Sequence, residues 1–191
     1  MSTTFLELVD LASERLGGAV IAANDEFFAP KENLLKPQPA ISIDGKYTDR
    51  GKWMDGWETR RRRDGGTHDW CIVRLGACGV VRGVDVDTSF FKGNYPEACA
   101  IDVGDLPPVI AEAIDGPWTE VLSRSSLNGD AHNLFAIAAA PRATHLRLRI
   151  FPDGGVARLR VHGDVTHLRF NIYPDGGVGR LRVFGRPASN R

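Results

Sequence analysis

The chain has 191 residues, 42% of them hydrophobic, and its 24 basic side chains are balanced by 24 acidic ones. This length suffices for one domain with a substantial core, and a zero net charge excludes a global field that would draw the chain onto nucleic acid or a lipid surface. The sequence opens without a basic segment followed by an apolar run, and it contains no stretch of about 18 apolar residues, so we expect a cytoplasmic protein that does not enter a membrane.

The three cysteines, Cys71, Cys78 and Cys99, are odd in number and lack the CxxC spacing of zinc knuckles. This pattern argues against a disulfide framework and against a structural zinc site. We therefore predict buried free thiols.

The N-terminal segment has the pattern of a helix followed by a strand. Thr4 and Glu7 fit a capping box, and apolar residues then recur at helical spacing up to Leu16, before two glycines. The sequence therefore predicts a helix over 4–16, packed outside the main body, and a short strand over 19–23.

Most of the remaining chain alternates apolar and polar residues in short runs separated by turn signals. A second helix, begun by proline, is predicted over 107–114. The predicted strands lie at 69–75, 80–86 and 99–103, and short apolar runs resume at 121–122 and 134–140. Many short strands with few helices predict an all-β fold, an antiparallel β-sandwich of Greek-key or jelly-roll topology with its ligand chemistry on loops at one end.

The stretch 51–75 is unusual in composition. It holds three of the four tryptophans, four consecutive arginines, His68 and four carboxylates. Its first part fits neither a helical nor a strand period, so it can be an ordinary charged surface loop. Aromatic walls, fixed cations and carboxylates are also what a pocket for a small polar molecule requires.

The C-terminal part contains an internal duplication. Residues 144–163 recur at 166–185, a shift of 22 positions, with 15 of 20 residues identical. Alternating apolar residues on either side of Pro-Asp-Gly-Gly predict a β-hairpin in each copy. Arg147, Arg149, Arg158 and Arg160 would then form the solvated face of an antiparallel sheet, although such a row can also bind a polyanion.

Several motifs together resemble the allantoicase family, and the resemblance spans nearly residues 5 to 164. They are LASERLGG at 11–18, DEFFAPKENLL at 25–35, residues 51–63, HDW at 68–70, VDT at 86–88, FKGNYP at 91–96 and the Pro-Asp-Gly-Gly turn. The family resemblance implies tandem jelly-roll repeats similar to galactose-binding domains, and the hydrolysis of allantoate to ureidoglycolate and urea. It divides the chain into one full repeat at 1–164 and, at 165–191, the terminal hairpin of a second repeat with a tail.

Allantoate carries one carboxylate and two ureido groups on a single carbon, so its site needs a fixed cation and several hydrogen-bond acceptors. We expect the residues with catalytic roles to be Glu58, Asp55 and His68. Those expected to bind the substrate are Arg60, Arg61, Trp57, Asp25, Glu26 and Asp69. We expect no cofactor, since no HxH or HxxxH spacing supports the one alternative, a divalent metal held by His68, Asp25, Glu26 and Asp87.

Two further hypotheses stay open at this point. A single repeat can be a binding module for a small polar metabolite or a sugar, without turnover. The duplicated hairpin can also cap an exposed sheet edge or pair with another subunit, and we therefore expect a homo-oligomer with a small-molecule substrate, without nucleic acid or membrane as partner.

Overall fold

The computed structural model describes residues 4–107, 113–165, 170 and 172–182, and strands dominate it. The strands are β1 (Val9–Asp10), β2 (Ala19–Ala23), β3 (Tyr47–Thr48), β4 (Gly51–Lys52), β5 (Trp57–Glu58), β6 (Asp69–Asp87), β7 (Ala98–Gly104), β8 (Thr119–Ser126), β9 (His132–Ala136), β10 (Arg142–Phe151), β11 (Gly155–Val156) and β12 (Arg158–Asp164). Short 3₁₀ helices cover Thr4–Glu7, Glu14–Leu16 and Lys31–Leu35. Within these ranges no helix is both long and apolar enough to cross a membrane.

Eight strands are joined by continuous antiparallel pairing, and the long strand β6 divides them into two parts, which we call the two sheets of the sandwich. Its first part, from Asp69, lies between β2 and β10, and β7 and β8 continue that sheet beyond β10. Its second part, up to Asp87, lies between β9 and β12, and β1 pairs with the far side of β12. The predicted all-β antiparallel sandwich of jelly-roll type is therefore confirmed.

Alternation along the strands builds the core between the two sheets. Leu146, Leu148 and Ile150 of β10 point inward, as do Leu159 and Val161 of β12. All five are fully buried in one cluster, which also holds inward residues of β6 and β7. Burying side chains of this size contributes about 1.5 to 3 kcal/mol each, so this cluster is the main source of stability.

The predicted helix over 4–16 is wrong. Two 3₁₀ turns flank the short strand β1, which pairs with β12 at Val9 and Gly163. The amide N–H of Leu11 donates to the carbonyl of Val161, and the Leu11 side chain is buried in the core. Pairing with a sheet edge satisfies the same backbone groups as a helix would and buries Leu11 as well, so tertiary contacts override the local helical spacing.

The structure confirms some of the other sequence predictions and corrects or does not reach others. The strand over 19–23 is confirmed, and the strands over 69–75 and 80–86 are the two ends of one element. The helix predicted over 107–114 lies largely outside the described residues. Cys71 and Cys99 are buried free thiols as predicted, whereas Cys78 is free but exposed.

The hairpin predicted over 144–163 is also wrong. β10 pairs with β6 and β7, whereas β12 pairs with β6 and β1, so the two strands lie in different sheets. The Pro-Asp-Gly-Gly turn between them carries the chain from one sheet to the other. The sequence pattern could not show this, because side chains alternate with a period of two both in a hairpin and in strands of facing sheets. In the second copy, residues 170 and 172–182 lie in no strand, and the rest lies outside the described residues.

The arginines of this region do not all lie on a solvated face. Arg158 is buried, and its Nη2 lies 2.6 Å from Oδ2 of Asp55. Its guanidinium also donates to the carbonyls of Gln38 and Asp55, which fastens the proline-rich segment 36–40 to β12. Arg147 and Arg149 do lie on the outer face of β10, where both pair with Asp102.

Replacing Asp55 by alanine should leave the buried guanidinium of Arg158 without its counter-charge. Breaking a buried ion pair in this way destabilises proteins by about 3 to 5 kcal/mol, and we expect that loss in the free energy of unfolding measured with guanidinium chloride. Asp49→Ala, at an exposed turn position, is the matched control and should change stability by less than about 0.5 kcal/mol. Equal stability of the two variants would show that the buried pair is not an anchor of the fold.

Candidate active site

The site is built around the two-residue strand β5, which pairs with β11. The register sets Trp57 opposite Val156 and Glu58 opposite Gly155. Because successive strand residues point to opposite faces, Trp57 enters the core, where its indole N–H donates to the carbonyl of Asp25 at 2.7 Å, and Glu58 points the other way. The core tryptophan thus fixes the position of the neighbouring carboxylate.

The Pro-Asp-Gly-Gly turn holds this strand against a second loop. The carbonyl of Gly154 accepts the amide N–H of Thr59 at 3.1 Å, and the amide of Gly155 donates to the carbonyl of Asn94 at 2.8 Å. A Cβ atom at Gly155 would lie 1.9 Å from the ring of Phe91, so only glycine fits there. The turn therefore joins β5 and the loop that carries Asn94 into one unit.

The carboxylate of Glu58 lies partly buried between these loops. Its Oε1 accepts a hydrogen bond from Nδ2 of Asn94 at 2.7 Å. Burial raises the pKa of Glu58 above its ordinary value, and the hydrogen bond from Asn94 opposes this shift. A carboxyl with a raised pKa exchanges protons closer to neutral pH, as a general acid or base must.

Two adjoining cavities of about 540 and 340 Å³ meet at this carboxylate. Residues shared by both linings are Phe28, Glu58, Gly93 and Asn94. The larger cavity also contains Lys52 and Lys92, and the smaller one contains Arg61. The larger cavity is also lined by Asp44, and the smaller one by Glu97 and Asp153. Such a mixed lining suits a small polar ligand that carries both an anionic group and N–H donors.

The four consecutive arginines have different surroundings. Arg60 pairs with Asp25 at 2.6 Å, and Arg62 pairs with Asp64 and Asp69. Arg61 forms no ion pair or side-chain hydrogen bond within the described part of the chain, and it is the arginine of this run that shares a cavity with Glu58. Its charge is therefore available to a ligand.

The other predicted site residues make structural contacts, and none of them lines the two cavities at Glu58. The carboxylate of Asp69 is buried and accepts from Nδ2 of Asn24 at 2.6 Å. Glu26 pairs with Lys31. The ring of His68 lies 5.4 Å from that of Phe151, and burial, followed by the charges of nearby arginines, lowers the pKa of His68. Neither His68 nor the ion-paired Asp55 lines the two cavities at Glu58, and their catalytic roles stay predictions.

Sequence reasoning did not assign roles to Asn94, Lys92 or Lys52. Asn94 and Lys92 belong to the FKGNYP motif, which carries part of the family resemblance. Their position opposite Glu58 depends on the pairing of Asn94 with Gly155, 61 positions along the chain, and no local pattern encodes it.

A metal site finds no support among the described residues, which include no group of three or more His, Cys, Asp or Glu side chains that could hold an ion. Asp25 is bound by Arg60, and Asp87 is buried and accepts the amide N–H of Ser89. The absence of a cofactor stays a prediction.

The family profile and the curated relatives that match this chain point to the same family. The sequence profile of the allantoicase repeat matches residues 9–166 and again 164–188. A "Probable allantoicase" from Ralstonia nicotianae is 54% identical over 155 residues, which cover 81% of this chain and 45% of that protein. One from Streptomyces coelicolor is 48% identical over 174 residues, covering 84% of this chain and 46% of that protein. The chain thus spans about half the length of these relatives.

Solved structures agree. An allantoicase structure superposes with a TM-score of 0.72 at 32% identity, covering 84% of this chain and 49% of that one. The allantoicase of Saccharomyces cerevisiae gives 0.70 with the same identity and coverage. A carbohydrate-binding module from a Clostridium perfringens glycoside hydrolase, TM-score 0.58, covers 86% of this chain and all of that module, but its 14% identity supports a likeness of fold alone.

The repeat profile covers most of the chain, and relatives near half identity carry the same name. The chain belongs to the allantoicase family.

Proposed function

We propose that this chain hydrolyses allantoate to ureidoglycolate and urea, with Glu58 as the acid/base group. The proposal rests on the partly buried Glu58 at the junction of two cavities, one of which is lined by Arg61, an arginine with no ion pair among the described residues. The names of the relatives support the substrate, since proteins near half identity are described as allantoicases.

The substrate fits the charges of the site. The guanidinium of Arg61 can hold the carboxylate of allantoate in a planar, two-point contact. The two ureido groups then extend into the two cavities on either side of Glu58, where the carboxylate of Glu58 and the amide of Asn94 are polar partners for their N–H and carbonyl groups. Arg60 is a weaker candidate for the carboxylate, because Asp25 already neutralises it.

The chemistry requires one proton to be moved twice. Glu58 in its ionised form accepts a proton from water while the water oxygen attacks the carbon that bears both ureido groups. In the same displacement the bond from the central carbon to one ureido nitrogen breaks, so that this carbon keeps four bonds, and the carboxyl gives its proton to the departing nitrogen. The hydroxyl stays on ureidoglycolate, the proton leaves with urea, and the carboxylate is regenerated.

Other features of the proposal rest on prediction. We infer that the partner is a small molecule, that the reaction needs no cofactor, and that the chain works in the cytoplasm as a homo-oligomer. Among the described residues, Glu58 supplies the proton transfer and Arg61 the anion contact within one repeat.

A second candidate function is binding without turnover. The length of the chain favours this candidate, because the chain corresponds to only about half of each of these curated relatives. Incubating the pure protein with allantoate, and measuring urea, ureidoglycolate and bound allantoate separately, decides between them. Equal amounts of urea and ureidoglycolate support the hydrolase, and bound allantoate without either product supports the binding module.

Glu58→Gln should abolish urea release, because glutamine keeps the shape of the side chain but cannot carry the proton. We expect a fall of about 10²-fold or more in kcat, measured as urea formed, with an unchanged circular dichroism spectrum. Glu26→Gln is the matched control and should keep at least half of the wild-type rate, since Glu26 forms an exposed pair with Lys31. Full activity of Glu58→Gln would disprove its role.

Arg61→Lys should weaken allantoate binding about tenfold, because the ammonium group of lysine replaces a planar guanidinium that can donate two parallel hydrogen bonds to the carboxylate. Titration calorimetry with the Glu58→Gln variant as background measures this without turnover. Arg60→Lys in the same background should change the dissociation constant by less than about threefold, as the exposed Arg60 is already paired. A larger effect at Arg60 than at Arg61 would move the carboxylate site to the neighbouring arginine.

The pH profile of kcat/KM should have an ascending limb above the ordinary glutamate pKa of about 4.3, because burial raises the pKa of Glu58 and only its ionised form accepts the proton. Asn94→Ala removes the hydrogen bond that lowers this pKa, so the limb should move to higher pH. Asn24→Ala, which removes an amide bound to Asp69 instead, should leave the limb in place. A shift to lower pH in Asn94→Ala would contradict the assignment.

A further inference from the structure

The chain carries a second copy of the turn that holds the active-site loops. Residues 172–182 repeat 150–160 with two exceptions, Tyr173 for Phe151 and Gly179 for Ala157. In the first copy this segment crosses between the sheets and pairs with β5. In the second copy it lies in no strand and pairs with no other element among the described residues.

Four residues of the segment 150–160 that hold the turn to the rest of the protein are also present in the second copy. In the first copy Asp153 accepts the amide N–H of Arg62, Gly154 contacts Thr59, Gly155 donates to Asn94, and the guanidinium of Arg158 pairs with Asp55. Their counterparts are Asp175, Gly176, Gly177 and Arg180. The second copy is therefore equipped for the same contacts.

The backbone of the two turns is also alike. Gly154 has a φ of 138° and Gly176 a φ of 141°, a conformation that side chains with a Cβ rarely adopt. The second turn thus has this feature of the docked form without the contacts that surround the first.

The apolar residues of the second copy lack the burial of the first. Ile172, Val178 and Leu181 are 43%, 48% and 54% exposed, whereas Ile150, Val156 and Leu159 are fully buried. Water contact of such side chains is unfavourable, and the second copy would lose that contact in the position that the first copy holds.

We propose that the two copies compete for one position, so that the chain has two registers, 22 residues apart, and the second copy docks when the first cannot. In the second register residues 172–182 take the position that residues 150–160 hold in the first. The loop that follows β9 lengthens by 22 residues, and the entropy of closing a loop grows only with the logarithm of its length.

The differences between the copies set which register is preferred. Leu148 is fully buried, and Phe170 in its place would overfill the core. Arg149 pairs with Asp102 and Glu120, and Asn171 cannot replace that charge. Both substitutions favour the first copy, in agreement with the register observed.

A four-variant cycle on the full chain tests the competition. Gly155→Val blocks the first copy, because a Cβ there would collide with Phe91, and Gly177→Val blocks docking of the second while meeting nothing within 4 Å in its present position. The variants are wild type, each single change and the pair, compared by unfolding midpoint in guanidinium chloride and by hydrogen exchange measured with mass spectrometry.

We expect Gly177→Val to unfold like wild type, Gly155→Val to stay folded at a lower midpoint, and the double variant to lose the cooperative transition. In Gly155→Val, exchange protection should move from 150–160 to 172–182. If Gly155→Val and the double variant behave alike, with no protection at 172–182, the proposal is wrong. If Gly155→Val folds only as a dimer, measured by light scattering across a dilution series, then the second copy docks on another chain. That result would overturn the proposal that it docks within its own chain.

Discussion

The pairing of Glu58 with Gly155 is the contact on which the rest of the site depends. It lies where the chain crosses from one sheet to the other, so the same turn that joins the sandwich also positions the candidate catalytic carboxylate. Phe91 leaves no room for a side chain at Gly155, and Asn94 bonds both to the turn and to Glu58. The fold and the candidate site therefore depend on the same constraint. Position 155 must be glycine, because the turn, strand β5 and the loop with Phe91 and Asn94 approach closely there.

Much of the strand content could be predicted because a half-buried strand alternates apolar and polar side chains along consecutive residues. The alternation in 146–150 and 159–161 correctly indicated inward positions that are fully buried. The pattern did not reveal that these strands lie in different sheets, since their partners come from β6, β7 and β1. The helix over 4–16 failed for a similar reason: Leu11 has helical spacing to its neighbours, but its environment is set by Val161.

The site was predictable in part. Composition drew attention to 51–75, and Glu58 of this stretch lines both cavities of the candidate site. Composition could not separate Glu58 from Asp55, which differ in surroundings because one faces Asn94 and the other the buried Arg158. Nor could it separate Arg61 from Arg60 and Arg62, whose carboxylate partners lie up to 35 positions away. These distinctions belong to tertiary pairing.

The central claim is that allantoate binds across Glu58, with its carboxylate on Arg61. A crystal structure of the Glu58→Gln variant soaked with allantoate tests it most directly, because that variant retains the shape of the site and should leave the substrate intact. We expect the ligand in the two cavities beside position 58, with its carboxylate within hydrogen-bond distance of the Arg61 guanidinium. Allantoate bound instead among Asn24, Asp25 and Arg63, or away from position 58 altogether, would contradict it.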